Sequence, residues 1–210
     1  MNSPIITESI GFDLDGTLWS SLDSITEAWD ETAREYSLRE PTYDEVKGVM
    51  GLNRRDLMNK LFPDLNDSVQ DEFFDLAAEK SDKLLNERGG ILFDGLEETL
   101  SQLSKKYKLY IVSNCQEGYI ETFLRFHKLG KYFCDFQCSG NRGFSKGQNI
   151  LDVIERNGFK SSVYLGDTQG DRDAARQAGV PFIFAEYGFG TVDDFDYSIN
   201  NFKELLEIIA

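Results

Sequence analysis

The run Ser9-Ile10-Gly11-Phe12 leads straight into Asp13-Leu14-Asp15-Gly16-Thr17-Leu18, and this junction constrains the chain more than any other segment. In an extended strand, residues i and i+2 point to the same side, so Asp13 and Asp15 crowd one spot at the strand's carboxyl end. Like charges that close repel, and they stay ionised only where a cation or a shared proton compensates them. Such crowding is costly for a structural turn and useful for chemistry. The competing reading is an ordinary Asp-Gly turn, a common hairpin signal. A hairpin needs a second strand next, yet Ser20 to Tyr36 carries Leu22, Ile25, Ala28, Trp29 and Ala33 at helical spacing. A calcium loop of the EF-hand type needs its glycine at the sixth position, and here it stands fourth. On this segment alone, turn and catalytic site both stay open.

At 210 residues the chain is one ordinary domain, or a core carrying a smaller insertion. The formal net charge of -15 disfavours nucleic acid and anionic membrane surfaces as partners, because both attract basic patches. A small anionic substrate approaches such a protein only where a local cation reverses the field. Cys115, Cys134 and Cys138 are odd in number and lack zinc-site spacing, which predicts reduced thiols and a cytoplasmic protein. The start, Met1-Asn2-Ser3-Pro4-Ile5-Ile6, has no basic region and no long apolar stretch, so no signal peptide is expected. Nowhere do about 18 apolar residues run together, which excludes a membrane-spanning helix.

After the first strand, the periodicity predicts helices only: Leu22 to Tyr36, Tyr43 to Val49, Arg54 to Phe62 and Ser68 to Glu87, the last capped by Asp67-Ser68. From Gly90 onward helices and short apolar strands alternate. The strands are Leu109 to Ser113, Val163 to Leu165 and Phe182 to Phe184. The helices are Leu96 to Tyr107, Glu117 to Leu129, Asn149 to Asn157, Asp171 to Ala178 and Phe202 to Ile209. That alternation implies an α/β fold, a parallel sheet covered by helices on both faces. The helical stretch interrupts it and reads as an inserted cap, hinged near Ser20 and near Gly89-Gly90. The expected division is a core of residues 1–19 and 90–210 and an all-helical cap of residues 20–89.

Ligands in open parallel sheets sit beyond the carboxyl ends of the strands. There the chain offers Asp13 and Asp15, then Ser113-Asn114, then Gly166-Asp167-Thr168-Gln169-Gly170-Asp171. Lys146 opens a helix after Asn141-Arg142-Gly143-Phe144-Ser145. Each has a dull alternative on its own: a cap, a surface lysine, a turn. In this order and spacing they resemble, together, the haloacid dehalogenase superfamily of phosphotransferases. The four motifs match at Asp13-x-Asp15-Gly16-Thr17-Leu18, at Ser113, at Lys146 and at Gly166-Asp167-Thr168-x-x-Asp171. Gly188-Phe189-Gly190 is similar to the phosphoglycolate phosphatase branch.

The resemblance implies a Rossmann-like core, a helical cap of that family's first type, and a magnesium-dependent phosphatase acting on a small phosphorylated metabolite. It makes Asp13 the nucleophile, forming an aspartyl-phosphate, and Asp15 the acid that protonates the departing alkoxide and then the base for water. Lys146 and Ser113, with Asn114 beside it, would bind the phosphoryl group. Magnesium would be held by Asp13, Asp167 and the backbone carbonyl of Asp15, with Asp171 in or near that sphere. A carboxylate at Asp15 sets the chain apart from carbon–halogen-cleaving members.

Met50-Gly51-Leu52-Asn53-Arg54-Arg55-Asp56 resembles the cap loop that phosphonoacetaldehyde hydrolases and beta-phosphoglucomutases use for specificity. Arg54 or Arg55 would contact a second anionic group of the substrate, against the plainer reading of a turn with two solvated arginines. Phosphonoacetaldehyde hydrolases need a lysine there for a Schiff base, which Arg54 cannot form. A phosphomutase of the beta-phosphoglucomutase type is the alternative enzyme, and a non-catalytic binding protein on the same fold is a third possibility.

Overall fold

The computed structural model describes residues 4–142 and 144–210. Met1 to Ser3 of the expected leaderless start, and Gly143 ahead of Lys146, lie outside the described residues. The first half of the chain runs β1 (Ser9–Phe12), β2 (Trp19–Ser20), α1 (Leu22–Glu35), α2 (Tyr43–Lys47), α3 (Arg54–Leu61), α4 (Asp67–Arg88) and β3 (Ile91–Leu92). Next come α5 (Leu96–Leu103), β4 (Lys108–Ser113), α6 (Tyr119–Phe126), β5 (Phe133–Cys138) and α7 (Ser139–Arg142). The remainder is α8 (Lys146–Asn157), β6 (Ser162–Gly166), α9 (Gln169–Ala178), β7 (Phe182–Ala185), β8 (Tyr197–Ile199) and α10 (Leu205–Ile208). Among the described residues no helix is long and apolar enough to cross a membrane.

Six strands form one sheet in the order β5-β4-β1-β6-β7-β8, with every neighbouring pair parallel. The chain fills one side of β1 with β4 and β5, then returns to fill the other side from β6 outward. That reversal opens a crevice where the flanking connections diverge. Phe12 is level with Ile111 on one side and Leu165 on the other, and the Asp13 amide donates to the Leu165 carbonyl at 2.8 Å. Asp13, Ser113 and Asp167 therefore end neighbouring strands on one rim.

Alternate strand residues feed two cores. Ile10, Phe12, Ile111, Val163 and Leu165 face α5, α6 and α10, while Tyr110, Val112 and Tyr164 face α8 and α9. Burial on both faces is why these strands read as unbroken apolar runs.

Helices α1 to α4 have an apolar nucleus of their own, including Trp29, Ala33, Val49, Met58, Phe62, Phe73 and Ala77. Its two connections to the sheet are tied together, because β2 and β3 pair antiparallel with Trp19 opposite Leu92 and Ser20 opposite Ile91. Trp19 is fully buried and packs edge-on against Tyr119 and Phe123.

Some elements differ from expectation. Asn66, not Asp67-Ser68, caps α4, its side chain accepting from the Val69 amide at 3.1 Å. Asp67 then lies in the first turn, where a negative charge suits the helix dipole. The last helix is shorter than expected, a 3-10 turn over Phe202–Glu204 followed by α10. Strands β5 and β8, at the two edges of the sheet, were not expected from the sequence. In β5 the register shifts opposite Leu109/Tyr110, and its aromatics, Phe133 and Phe136, are three residues apart, which hides the period of two.

Candidate active site

Asp13, Asp167 and Asp171 bring carboxylate oxygens within 4.8 Å of one another, and all three side chains are buried. Asp13 and Asp167 stand just past the ends of β1 and β6, and Asp171 in the first turn of α9. Thr168 caps that helix in a reciprocal capping box with Asp171. Asp171 Oδ2 accepts from the Thr168 hydroxyl at 2.7 Å and from the amides of Thr168 and Asp167 at 3.0 and 3.2 Å. Local helix chemistry thus fixes one carboxylate before any ligand arrives.

Lys146 supplies positive charge to this cluster. Ser145 caps α8 with Gln148 as its box partner, which places Lys146 at the first helical position, facing the rim. Its ammonium reaches Asp13 Oδ1 at 2.5 Å and also pairs with Asp171, although the residue is only 6% exposed. The Tyr164 ring lies 5.8 Å beneath it. Burial opposes the ammonium charge, but Asp13 and Asp171 more than offset it and hold the lysine above its usual range.

Three carboxylates against one ammonium leave two negative charges uncompensated when all are ionised. The titration behaviour follows. Burial, with repulsion from Asp171, pushes Asp13 up to about 7 against the pull of Lys146. Burial and repulsion from Asp171 and Asp13 raise Asp167 well above the ordinary carboxylate range. A divalent ion with a preference for oxygen ligands fits this donor set in charge and in chemistry. The backbone around Asp167 is shaped to match: Cβ atoms added at Gly16 or Gly188 would each come within 2.2 Å of the Asp167 side chain. Thr17 Oγ1 donates to Asp167 Oδ1 at 3.3 Å and the Phe189 amide to Oδ2 at 2.7 Å.

Asp15 is held apart from that group. Its Oδ1 accepts from the Ser21 hydroxyl and from the Tyr119 hydroxyl, the latter at 3.1 Å. Its carboxylate is therefore outside the three-aspartate cluster. Burial raises this carboxyl to about 6 despite those hydrogen bonds. Two aspartates two residues apart thus occupy different environments, as a division of labour requires.

A cavity of about 810 Å³ lies over the rim, lined among others by Asp13, Asp15, Ser113, Asn114, Lys146 and, from the helical segment, Arg54 and Arg55. Ser113 ends β4 beside the aspartates and is buried. Asn114 has another task in this structure. Its Nδ2 donates to the Gly51 carbonyl at 2.9 Å and its Oδ1 accepts from the Ser139 hydroxyl at 2.9 Å, so it latches the 50–53 loop to the rim. The arginines are also engaged. Arg54 pairs with Asp75 at 2.7 Å and with Asp71 at 3.3 Å, and its guanidinium lies 4.6 Å over the Phe74 ring. Arg55 pairs with Asp71 at 3.1 Å and with Asp67 at 3.4 Å, and donates to Gln70 at 2.8 Å.

Sequence reasoning missed Thr17, Ser21, Tyr119 and Thr168, each of which holds a site aspartate by a side-chain hydroxyl. Thr168 carried a signal in the Thr168-x-x-Asp171 capping pattern. Ser21 and Tyr119 carried none, because their partner is distant in sequence or across a turn.

A sequence model of the family described as haloacid dehalogenase-like hydrolase matches residues 10–185. A phosphoglycolate phosphatase of Vibrio parahaemolyticus is 25% identical over 96% of this chain and 95% of its own length. One from Aquifex aeolicus is 27% identical over 94% of each. Among solved structures, the haloacid dehalogenase-like family hydrolase of Streptococcus pneumoniae superposes with a TM-score of 0.84 at 23% identity, covering 97% of this chain and 96% of that one. The family match spans the aspartate cluster, the lysine and the sheet that carries them, and this chain is a member of the haloacid dehalogenase-like hydrolases.

Proposed function

We propose that the chain is a magnesium-dependent phosphatase that hydrolyses a small phosphate monoester through a phosphorylated Asp13. The observation that carries this reading is the buried group of Asp13, Asp167 and Asp171 with Lys146 among them, of which Asp13 and Lys146 line the cavity. Uncatalysed phosphate ester hydrolysis is extremely slow, and positioning together with charge stabilisation supplies most of the acceleration.

Asp13 attacks phosphorus in line, its oxygen forming the new bond as the bond to the alcohol oxygen breaks. Lys146 neutralises charge shared between that carboxylate and the phosphoryl oxygens, and Ser113 donates a hydrogen bond to one of them. Asp15 gives its proton to the departing alkoxide and then takes one from the water that cleaves the acyl phosphate, leaving Asp13 free and phosphate released. A carboxyl raised to about 6 by burial suits both transfers near neutral pH. Asp13 and Asp167 would hold the magnesium ion, with Asp171 orienting its surroundings through the contacts it already makes. When bound, the ion supplies positive charge that makes attack of one anion on another feasible.

On this reading residues 20–89 act as a cap over a catalytic core of residues 1–19 and 90–210, in a cytoplasmic enzyme. The mutase alternative drew support from an arginine that could hold a second phosphate, and pairing of Arg54 and Arg55 with Asp67, Asp71 and Asp75 weakens that support.

The test is orthophosphate release from a panel of phosphate monoesters, with and without magnesium. Asp13→Asn is expected to lower turnover by roughly a thousandfold or more while circular dichroism stays unchanged. Undiminished activity in that variant, or release independent of added magnesium after chelation, contradicts the proposal.

A further inference from the structure

The cavity changes character away from the aspartates. Its wall from the helical segment includes Ile25, Trp29, Met50, Leu57, Phe74 and Ala78, contributed by α1, α3, α4 and the loop between α2 and α3. Its volume of about 810 Å³ falls in the range that encloses ligands of drug size, far more than a phosphate joined to a two-carbon acid fills. Among the residues whose side chains are described, which leaves out 1–3 and 141–143, the cations on its lining are Lys146, Arg54 and Arg55, and each is already bound to carboxylates. Three acids, Asp67, Asp71 and Asp75, pair with the two arginines from outside the lining, so their positive charge is already compensated. A second anionic group placed there has to compete with those carboxylates for the arginines, and it gains nothing from the apolar part of the wall. An uncharged apolar group gains by leaving water against the same wall.

We infer that this enzyme acts on phosphate monoesters whose alcohol portion is uncharged and largely apolar, seated against Ile25, Trp29, Leu57, Phe74 and Ala78. The ester itself rests on the phosphatase reading; the preference of the wall does not. Phosphorus sits at Asp13 and the organic group extends into the helical segment. Each methylene or ring carbon buried there raises affinity, by roughly fourfold per methylene.

Benzyl phosphate and 4-carboxybenzyl phosphate test this, since their alcohols leave with similar ease and differ by one carboxylate. For the wild-type protein with magnesium, kcat/KM is expected to favour benzyl phosphate by roughly tenfold or more, with phosphoglycolate poorer still. Binding of the same esters to Asp13→Asn, followed by calorimetry, is expected to show the same order. Ala78→Lys, with Leu57→Lys as a second site should the first fail to fold, is expected to shift the ratio toward the carboxylated ester by roughly tenfold. Turnover with equal or better use of 4-carboxybenzyl phosphate or phosphoglycolate overturns the inference and leaves the phosphatase standing. Tighter binding of benzyl phosphate to Asp13→Asn, with no turnover of any ester by the wild type, supports the wall preference and overturns the phosphatase. An unchanged ratio in both lysine variants, each folded, also overturns the inference.

Discussion

Two groups of charges, one reaching the cavity through Asp13 and Lys146 and the other through Arg54 and Arg55, are built on opposite plans. On the rim of the sheet, Asp13, Asp167 and Asp171 are dry, and the one lysine among them pairs with Asp13 and Asp171. In the helical segment, Arg54 and Arg55 meet Asp67, Asp71 and Asp75 at positions open to water, with Arg54 38% exposed and Asp75 69% exposed. Exposed pairs of the second kind contribute little and cost little. Buried charges of the first kind are expensive unless something further compensates them. The rim therefore stands out as a candidate ligand site by being both buried and unbalanced, while the arginines of α3 are paired with acids of α4. Both groups hold more acids than bases, so charge separates them by only one unit; burial separates them far more.

The largest effect that separates the two groups is expected at Lys146. Replacing it, as in Lys146→Met, leaves Asp13 and Asp171 buried without a cation and should cost roughly 3–5 kcal/mol of unfolding free energy. Urea denaturation of metal-free protein at neutral pH measures it, and a loss under about 1 kcal/mol would mean the rim is wetter than described.

Asp167→Asn should move stability the other way. The metal-free folded protein keeps protons on Asp13 and Asp167 that the unfolded chain gives up, since both are raised by burial. Its stability accordingly falls as pH rises from about 4, where unfolded carboxylates ionise, toward about 7, where Asp13 does so in the fold. Asp167→Asn removes part of that repulsion and should raise the metal-free protein's stability near pH 7 by on the order of 1 kcal/mol, about 2–4 °C in Tm. The gain should shrink toward pH 4. A lower Tm at both pH values would break the link between imbalance and function.

The smallest effect belongs to the helical segment. Arg54→Ala should cost about 0.2–1 kcal/mol and leave turnover of benzyl phosphate near that of the wild type. A fall of kcat/KM by roughly tenfold, worth about 1.4 kcal/mol, would show that the guanidinium touches substrate after all.

Much of the rim was legible in the sequence because local rules write it there. Asp13 follows a buried strand of four residues, Asp167 a buried strand of five, and Lys146 opens a capped helix. Strand ends, capping boxes and apolar runs are short-range signals. What escaped is what long-range contact decides. A partner of Arg54 and Arg55, Asp71, lies 17 and 16 residues away on another helix, so the sequence left open what either cation contacts. Tyr119 reaches Asp15 across 104 residues and Asn114 reaches Gly51 across 63, distances at which no periodicity speaks. Edge strand β5 was hidden for a different reason, since a register shift breaks its alternation and Asp135 interrupts its apolar run.

Calorimetric titration of Mg2+ into the metal-free protein tests the central claim, that the unbalanced rim is a seat for a divalent cation. The account predicts saturable binding by the wild type and none measurable by Asp167→Ala at the same concentrations. Equal binding by that variant, or no binding by the wild type at concentrations that sustain its turnover, would contradict it.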